Sequence, residues 1–144
     1  MTGTIITIAQ QKGGAGKTTL AAQLAVALAH SGMRVAAIDI DPQMSLSTWF
    51  DMRAEMHGDL VYKGKGGLEI LQVTGWRAAS EIERQAKEND VVIVDSPPHA
   101  ETEARIAVRN AHLAVIPVQP SPMDVWATKP TLDMAAKEKT PVLL

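Results

Sequence analysis

The chain has 144 residues, a net charge of −2 and no cysteine. That length supports one domain with its own core, and the missing thiols exclude disulfides, zinc–thiolate centres and iron–sulfur ligation. The charge leaves no global basic footprint for nucleic acid, so a DNA contact has to come from a local patch, and Trp49, Phe50, Tyr62, Trp76 and Trp126 are too few for a base-stacking platform.

Taken in chain order, the apolar run Ile5-Ile6-Thr7-Ile8-Ala9 predicts a strand over 4–10, and Leu20-Ala21-Ala22-Gln23-Leu24-Ala25 a helix over 17–31 that Gly32 ends. That helix has no charged side chain from Thr18 to Ala29. Leu20, Leu24 and Leu28 alone would supply one buried face, so a helix apolar all round is expected to be covered on more than one side. A strand at 34–40 and a helix at 45–56 follow, then a Gly- and Lys-containing connection from His57 to Gly67 that reads as a solvated loop. Next come a strand at 68–73 and a helix at 76–89, whose Arg77, Arg84 and Lys87 alternate with Glu81, Glu83 and Glu88 as on a solvent face. Strands at 90–95, 112–118 and 140–144 and helices at 101–110 and 122–138 complete the pattern, with Pro130 expected to kink or split the last helix. Short Ile- and Val-rich strands alternating with helices predict an α/β fold, a doubly wound, mostly parallel sheet with helices on both faces. No apolar run approaches the roughly 18 residues of a membrane span, and the N-terminus lacks a basic-then-apolar signal, so a cytoplasmic protein is expected.

Between the first strand and helix stands Lys12-Gly13-Gly14-Ala15-Gly16-Lys17-Thr18-Thr19. A strand, a glycine-rich turn and a helix start make a phosphate cradle. Glycines let backbone N–H groups close around an anion, and the helix N-terminus adds partial positive charge. Lys17 can reach the β- and γ-phosphates, and the Thr18 hydroxyl can ligate Mg²⁺. The ordinary Walker A loop needs glycine where this chain has Gln11, and a second lysine, Lys12, stands at the front of the loop instead.

This deviant loop resembles that of the ParA/MinD family of partition ATPases, which are P-loop NTPases. Asp39-Ile40-Asp41-Pro42-Gln43 looks like the family's switch I, Val91 to Pro98 like its Walker B strand running into switch II, and Val115-Ile116-Pro117-Val118-Gln119-Pro120-Ser121 like its next strand and loop. The ParA branch fits best, because Asp-Pro-Gln and Pro-Ser-Pro are habits of that branch. The resemblance implies a Mg²⁺-dependent ATPase in which Lys17 and the amides from Gly13 to Thr19 (Gly13, Gly14, Ala15, Gly16, Lys17, Thr18, Thr19) hold phosphates. Thr18 and Asp95 would hold the metal, Asp95 through water. Asp41 orients or accepts a proton from the attacking water, and Asp39 shapes the switch or supports the metal shell. Lys12 crosses to the phosphates of a second subunit, so that ATP is sandwiched in a homodimer. Hydrolysis is slow alone and stimulated by a ParB-like partner, and the ATP dimers bind DNA without sequence preference, which would make the protein nucleoid-associated. The cargo is a plasmid, a chromosome region or a protein cluster; a membrane is not among the expected partners.

His30, His57, His99 and His112 lack metal-ligand spacing. Glu101 and Glu103 suit the N-terminus of the helix that follows switch II, where carboxylates cap rather than catalyse. Thr140-Pro141-Val142-Leu143-Leu144 reads as the start of another buried strand, and in the family the chain continues through that strand to an asparagine that helps recognise adenine and then to further helices. The expectation is therefore a single domain over 1–144 that lacks those C-terminal strands and helices, with apolar surface exposed at the end of the sheet. Three rivals stand beside this reading: a MinD-like membrane-cycling regulator of the division site, a metabolic P-loop ligase of the dethiobiotin synthetase type, and a degenerate, nucleotide-locked binding module. Lys12 and Asp-Pro-Gln argue against the ligase, and the intact Lys17, Thr18, Asp41 and Asp95 against the module.

Overall fold

The computed structural model describes residues 2–10, 16–41, 43, 45–57, 67–98 and 101–144. Among these, strands and helices alternate as β1 (Thr4–Ile8), α1 (Lys17–His30), β2 (Val35–Asp39), α2 (Ser45–His57), β3 (Leu68–Gln72), α3 (Ala78–Glu88), β4 (Val91–Asp95), α4 (Glu101–Arg109), β5 (Leu113–Val115), α5 (Pro122–Lys137) and β6 (Val142–Leu143). A 3-10 turn, Gly75–Arg77, leads into α3. The strands form one sheet in the order β3-β2-β4-β1-β5-β6, and each pair is parallel.

The central strands explain the layering. β2 reads Val-Ala-Ala-Ile-Asp and β4 Val-Val-Ile-Val-Asp, and each is buried at every position. Successive side chains of a strand point to opposite faces. Ala37, Val91 and Ile93 accordingly pack with α1 and Leu46 of α2, whereas Ile38, Val92 and Val94 pack with Ile82 and Ala86 of α3 and Ala107 of α4. A third cluster, Ala104, Val108, Met134 and Ala135 with Ala9, seats α5 against α4. Helices thus cover both faces, as the alternating pattern predicts.

Three local expectations need correction. In α1 the residues set deepest are Ala21, Ala22 and Ala25, and the leucines at 20, 24 and 28 are only partly buried at the flanks of the same cluster, which also holds Trp49 and Phe50. Small side chains let the helix axis lie close to the sheet, which leaves the leucines to fill the sides. The helix α5 runs unbroken through Pro130. The missing N–H there orphans the carbonyl of Trp126, but Pro130 and Trp126 are both exposed and water can serve that carbonyl, while Thr128, Thr131 and Met134 hold the helix down on its other side. Finally, the strand at the chain's end forms, pairing with β5, but it is not buried. It is the outer edge of the sheet, and Leu143 and Leu144 are 56% and 71% exposed. Gly32 ends α1 as expected, with φ 99° and its follower's amide bonded back to the Leu28 carbonyl at 3.2 Å. The stretch 58–66 lies outside the described residues.

The register places the strand ends level. Ile8 is opposite Asp95, Asp95 opposite Asp39, and Asp39 opposite Gln72. The C-terminal edge of the sheet therefore carries two carboxylates on adjacent strands, beside β1, from which the glycine-rich loop departs. Connections leave β1 and its neighbours toward both sides of the sheet, and it is at such a point that open α/β sheets bind ligands.

Candidate functional site

Asp95 is the last residue of β4 and is fully buried. Its Oδ2 accepts a 2.8 Å hydrogen bond from the hydroxyl of Thr18, the second residue of α1. Its Oδ1 is buried with no hydrogen-bond partner among the described residues. Leaving a buried carboxylate oxygen unpaired is costly. Burial is the main cause that raises the Asp95 pKa from 3.8 to about 6; the Thr18 bond and the Lys17 ammonium pull it back down, and Asp39 and Asp41 push it up. A hydroxyl beside a carboxylate with an unused oxygen suits a hard divalent cation that keeps much of its own water. Such a cation would supply the missing partner and restore the ionised form.

Lys17 opens α1 and is buried, 8% exposed. Gly16, at the helix's N-cap, has φ 87°, a left-handed conformation that glycine adopts without strain, and its carbonyl accepts from Leu20 N at 2.9 Å. No carboxylate stands in the first turn of α1, and Gly16 brings no capping side chain. Neither source therefore supplies an acceptor for the amides of that turn, where the helix dipole favours an anion.

The second carboxylate, Asp39, does a different job. Its Oδ1 accepts from the Asp41 backbone N–H at 3.0 Å, and its Oδ2 accepts from both the backbone N–H and the hydroxyl of Ser47 at 3.1 Å. The Ser47 hydroxyl also lies 3.3 Å from Gln72 Oε1 at the end of β3. Burial raises the Asp39 pKa, against the lowering effect of the Ser47 bonds. With both oxygens engaged, Asp39 ties the end of β2 to α2 and fixes the backbone at Asp41. Asp41 itself is 7% exposed, and its Oδ1 accepts from Gln43 N at 2.9 Å.

Of the residues singled out from sequence, Lys17, Thr18, Asp39, Asp41 and Asp95 come together at this edge, with Gly16 and Thr19 at the start of α1. Lys12, Gly13, Gly14 and Ala15 lie outside the described residues, as does His99. Glu101 and Glu103 occupy the first turn of α4, where Glu101 pairs with Arg105 at 2.7 Å. His112 serves the fold, its Nδ1 accepting from Ile5 N at 2.9 Å, and no cluster of metal-ligating side chains occurs among the described residues. Sequence reasoning missed Ser47, Ser96 and Gln10. Ser96 pins the edge through a 2.9 Å bond to the Ile8 carbonyl. Each is a common polar residue whose partner lies on another element, so no motif could announce it.

Residues 6–136 match the family model for the CobQ/CobB/MinD/ParA nucleotide binding domain. The maintenance of carboxysome distribution protein A of Halothiobacillus neapolitanus is 28% identical over 141 residues, covering 96% of this chain and 62% of that protein. The ParA protein of Rhizobium radiobacter is 30% identical over 135 residues, covering 94% and 57%. The chain thus spans about three fifths of the length of these curated relatives. Among solved structures, the septum site-determining protein MinD of Pyrococcus horikoshii, complexed with Mg-ADP, superposes with a TM-score of 0.75 at 25% identity, covering 97% of this chain and 68% of that one. The pNOB8 ParA bound to nonspecific DNA gives 0.71 at 22% identity, covering 96% and 61%. A parallel sheet with a phosphate-loop helix at its centre and a family match over most of the chain agree: the chain belongs to the CobQ/CobB/MinD/ParA family of nucleotide-binding domains.

Proposed function

We propose that the chain is the nucleotide-binding core of a Mg²⁺-dependent, ParA-type ATPase that works as an ATP-driven dimer switch, positioning DNA or a protein cluster. The observation that carries this reading is the Thr18–Asp95 pair, with its unused carboxylate oxygen, beside Lys17 and an uncapped helix start. Phosphoryl transfer needs placement and charge neutralisation more than covalent help. Lys17 and the first-turn amides of α1 hold the β- and γ-phosphates. Thr18 and Asp95 would hold Mg²⁺, Asp95 through water, and the ion would supply positive charge to the phosphate oxygens. Asp41, held by Asp39, orients the attacking water and takes its proton. Asp39, with both oxygens bound by protein donors, acts behind the metal rather than on it.

Lys12 reaches the phosphates of a second copy, so that ATP joins two subunits and its hydrolysis parts them. A ParB-like protein speeds that slow step, and the ATP dimer binds DNA without sequence preference, on the nucleoid. By similarity, the MinD relative's Mg-ADP supports the nucleotide and the metal, the pNOB8 protein's nonspecific DNA supports the DNA contact, and the ParA and carboxysome distribution relatives support the positioning role.

The test is nucleotide binding and phosphate release with and without Mg²⁺, on wild type and Lys17→Ala. The reading expects Mg²⁺-dependent ATP binding and slow release that Lys17→Ala abolishes. Near-normal turnover in Lys17→Ala would remove the assignment.

A further inference from the structure

Gln10 is the last described residue before the glycine-rich loop, and it is 3% exposed. Its side-chain amide is bound on both sides. Nε2 donates to the Pro117 carbonyl at 3.2 Å and to Thr128 Oγ1 at 3.0 Å, and Oε1 accepts from Thr131 Oγ1 at 3.3 Å. The Thr128 hydroxyl spends its own proton on the Asp124 carbonyl at 2.8 Å, which leaves it an acceptor for Gln10. Asp124 in turn closes the first turn of α5, its Oδ2 accepting from the Ser121 hydroxyl at 2.6 Å. A continuous set of polar contacts therefore runs from the loop's entry, past the end of β5, into α5.

A primary amide is expensive to bury, and an aliphatic side chain of the same length would fill the space without that cost. A fully satisfied buried network instead fixes orientation, because each member has one arrangement that pairs every donor. Ala9 N is bonded to the Val115 carbonyl at 3.0 Å, so Gln10 adds the next fixed point before the chain turns into the loop. Thr128 and Thr131 lie on a helix that carries none of the residues assigned to phosphate or metal.

We propose that Gln10 is a positioning residue: anchored by Thr128 and Thr131, it sets the entry of the phosphate loop and couples nucleotide binding to α5. This rests on the nucleotide-binding reading above. It makes two distant hydroxyls determinants of nucleotide affinity, and it makes hydroxyl chemistry rather than side-chain volume the property that matters.

The experiment compares the affinity of a fluorescent ATP analogue, with Mg²⁺, for the wild type, Thr128→Val/Thr131→Val and Thr128→Ser/Thr131→Ser, with a thermal melt of each. Valine keeps the shape and removes the hydroxyl, and serine keeps the hydroxyl. The valine pair should bind about tenfold more weakly, and the serine pair within about twofold of wild type. Gln10→Met should weaken binding to a similar extent, and adding the valine pair to it should cost little more, because one network is removed once. Where the valine pair does not fold, Thr131→Val alone is compared with Thr131→Ser. Wild-type affinity in the folded valine variants, or equal losses in the serine and valine variants, would overturn the inference while leaving the parent reading intact. A wild type that binds no nucleotide would remove both, and the wild-type arm alone reports that case.

Discussion

The Thr18 hydroxyl donates to Asp95 Oδ2 across 2.8 Å, tying the first turn of α1 to the end of β4, 77 residues further along the chain. One oxygen of that carboxylate is spent on the bond, and the other, Oδ1, is buried without a partner among the described residues. The site is therefore incomplete in polar terms. Its spare acceptor lies on the carboxylate that holds the Thr18 hydroxyl, whose own lone pairs remain for another partner.

Thr18→Val keeps the side chain's shape and removes its donor, which leaves both Asp95 oxygens unsatisfied. The variant should lose about 1–3 kcal/mol of stability and the Mg²⁺ dependence of nucleotide binding, whereas Thr18→Ser should keep both. Urea unfolding and Mg²⁺ titrations of analogue binding check the pair of effects.

Asp95 also predicts a pH dependence in the metal- and nucleotide-free protein. Its folded pKa, about 6, lies above the reference 3.8, so the folded state holds the proton more tightly than the unfolded state. Its contribution to stability is present in full below about pH 4 and is lost as pH rises through about 6, by at most about 3 kcal/mol. Asp95→Asn removes this dependence. The stability difference, variant minus wild type, should grow between pH 4 and 7 and then level off. A difference that stays flat across that range would show that Asp95 is not held in a desolvated pocket.

Ser47→Ala removes the hydroxyl from Asp39 Oδ2 and leaves the backbone donor in place. The expected loss is about 1 kcal/mol of stability, with lower turnover and unchanged ATP affinity, because Asp39 fixes Asp41 rather than the phosphates. A matching fall in affinity would place Asp39 on the nucleotide instead. Steady-state kinetics beside analogue titrations separate the two.

The architecture was legible because both of its signals are local. Val91 to Asp95 is apolar on both faces and ends in a carboxylate, which marks a doubly covered strand with a functional residue at its C-terminal edge. Gly16-Lys17-Thr18 marks the start of a helix that can hold an anion. Burial is less legible. Periodicity in α1 favoured its leucines, since apolar bulk is what a sequence displays, yet the close approach of the helix to the sheet gave the deepest places to alanines. Pro130 looked like a break because its cost is local, while the contacts that hold α5 together come from Gln10 and α4. The same reason hid Ser47 and Gln10. Their roles depend on partners that only the fold brings near, Asp39 for one and Thr128 and Thr131 for the other.

The most direct test of the switch is the mass of the protein in solution, measured without nucleotide, with Mg-ADP and with Mg-ATP, for wild type, Asp41→Ala and Lys12→Ala. The account predicts a monomer without nucleotide and with ADP, and a dimer with ATP. That dimer should be firmer in Asp41→Ala, where hydrolysis cannot dissolve it, and absent in Lys12→Ala, although the latter still binds ATP. A single mass under every condition, in a wild type that binds ATP, would contradict it.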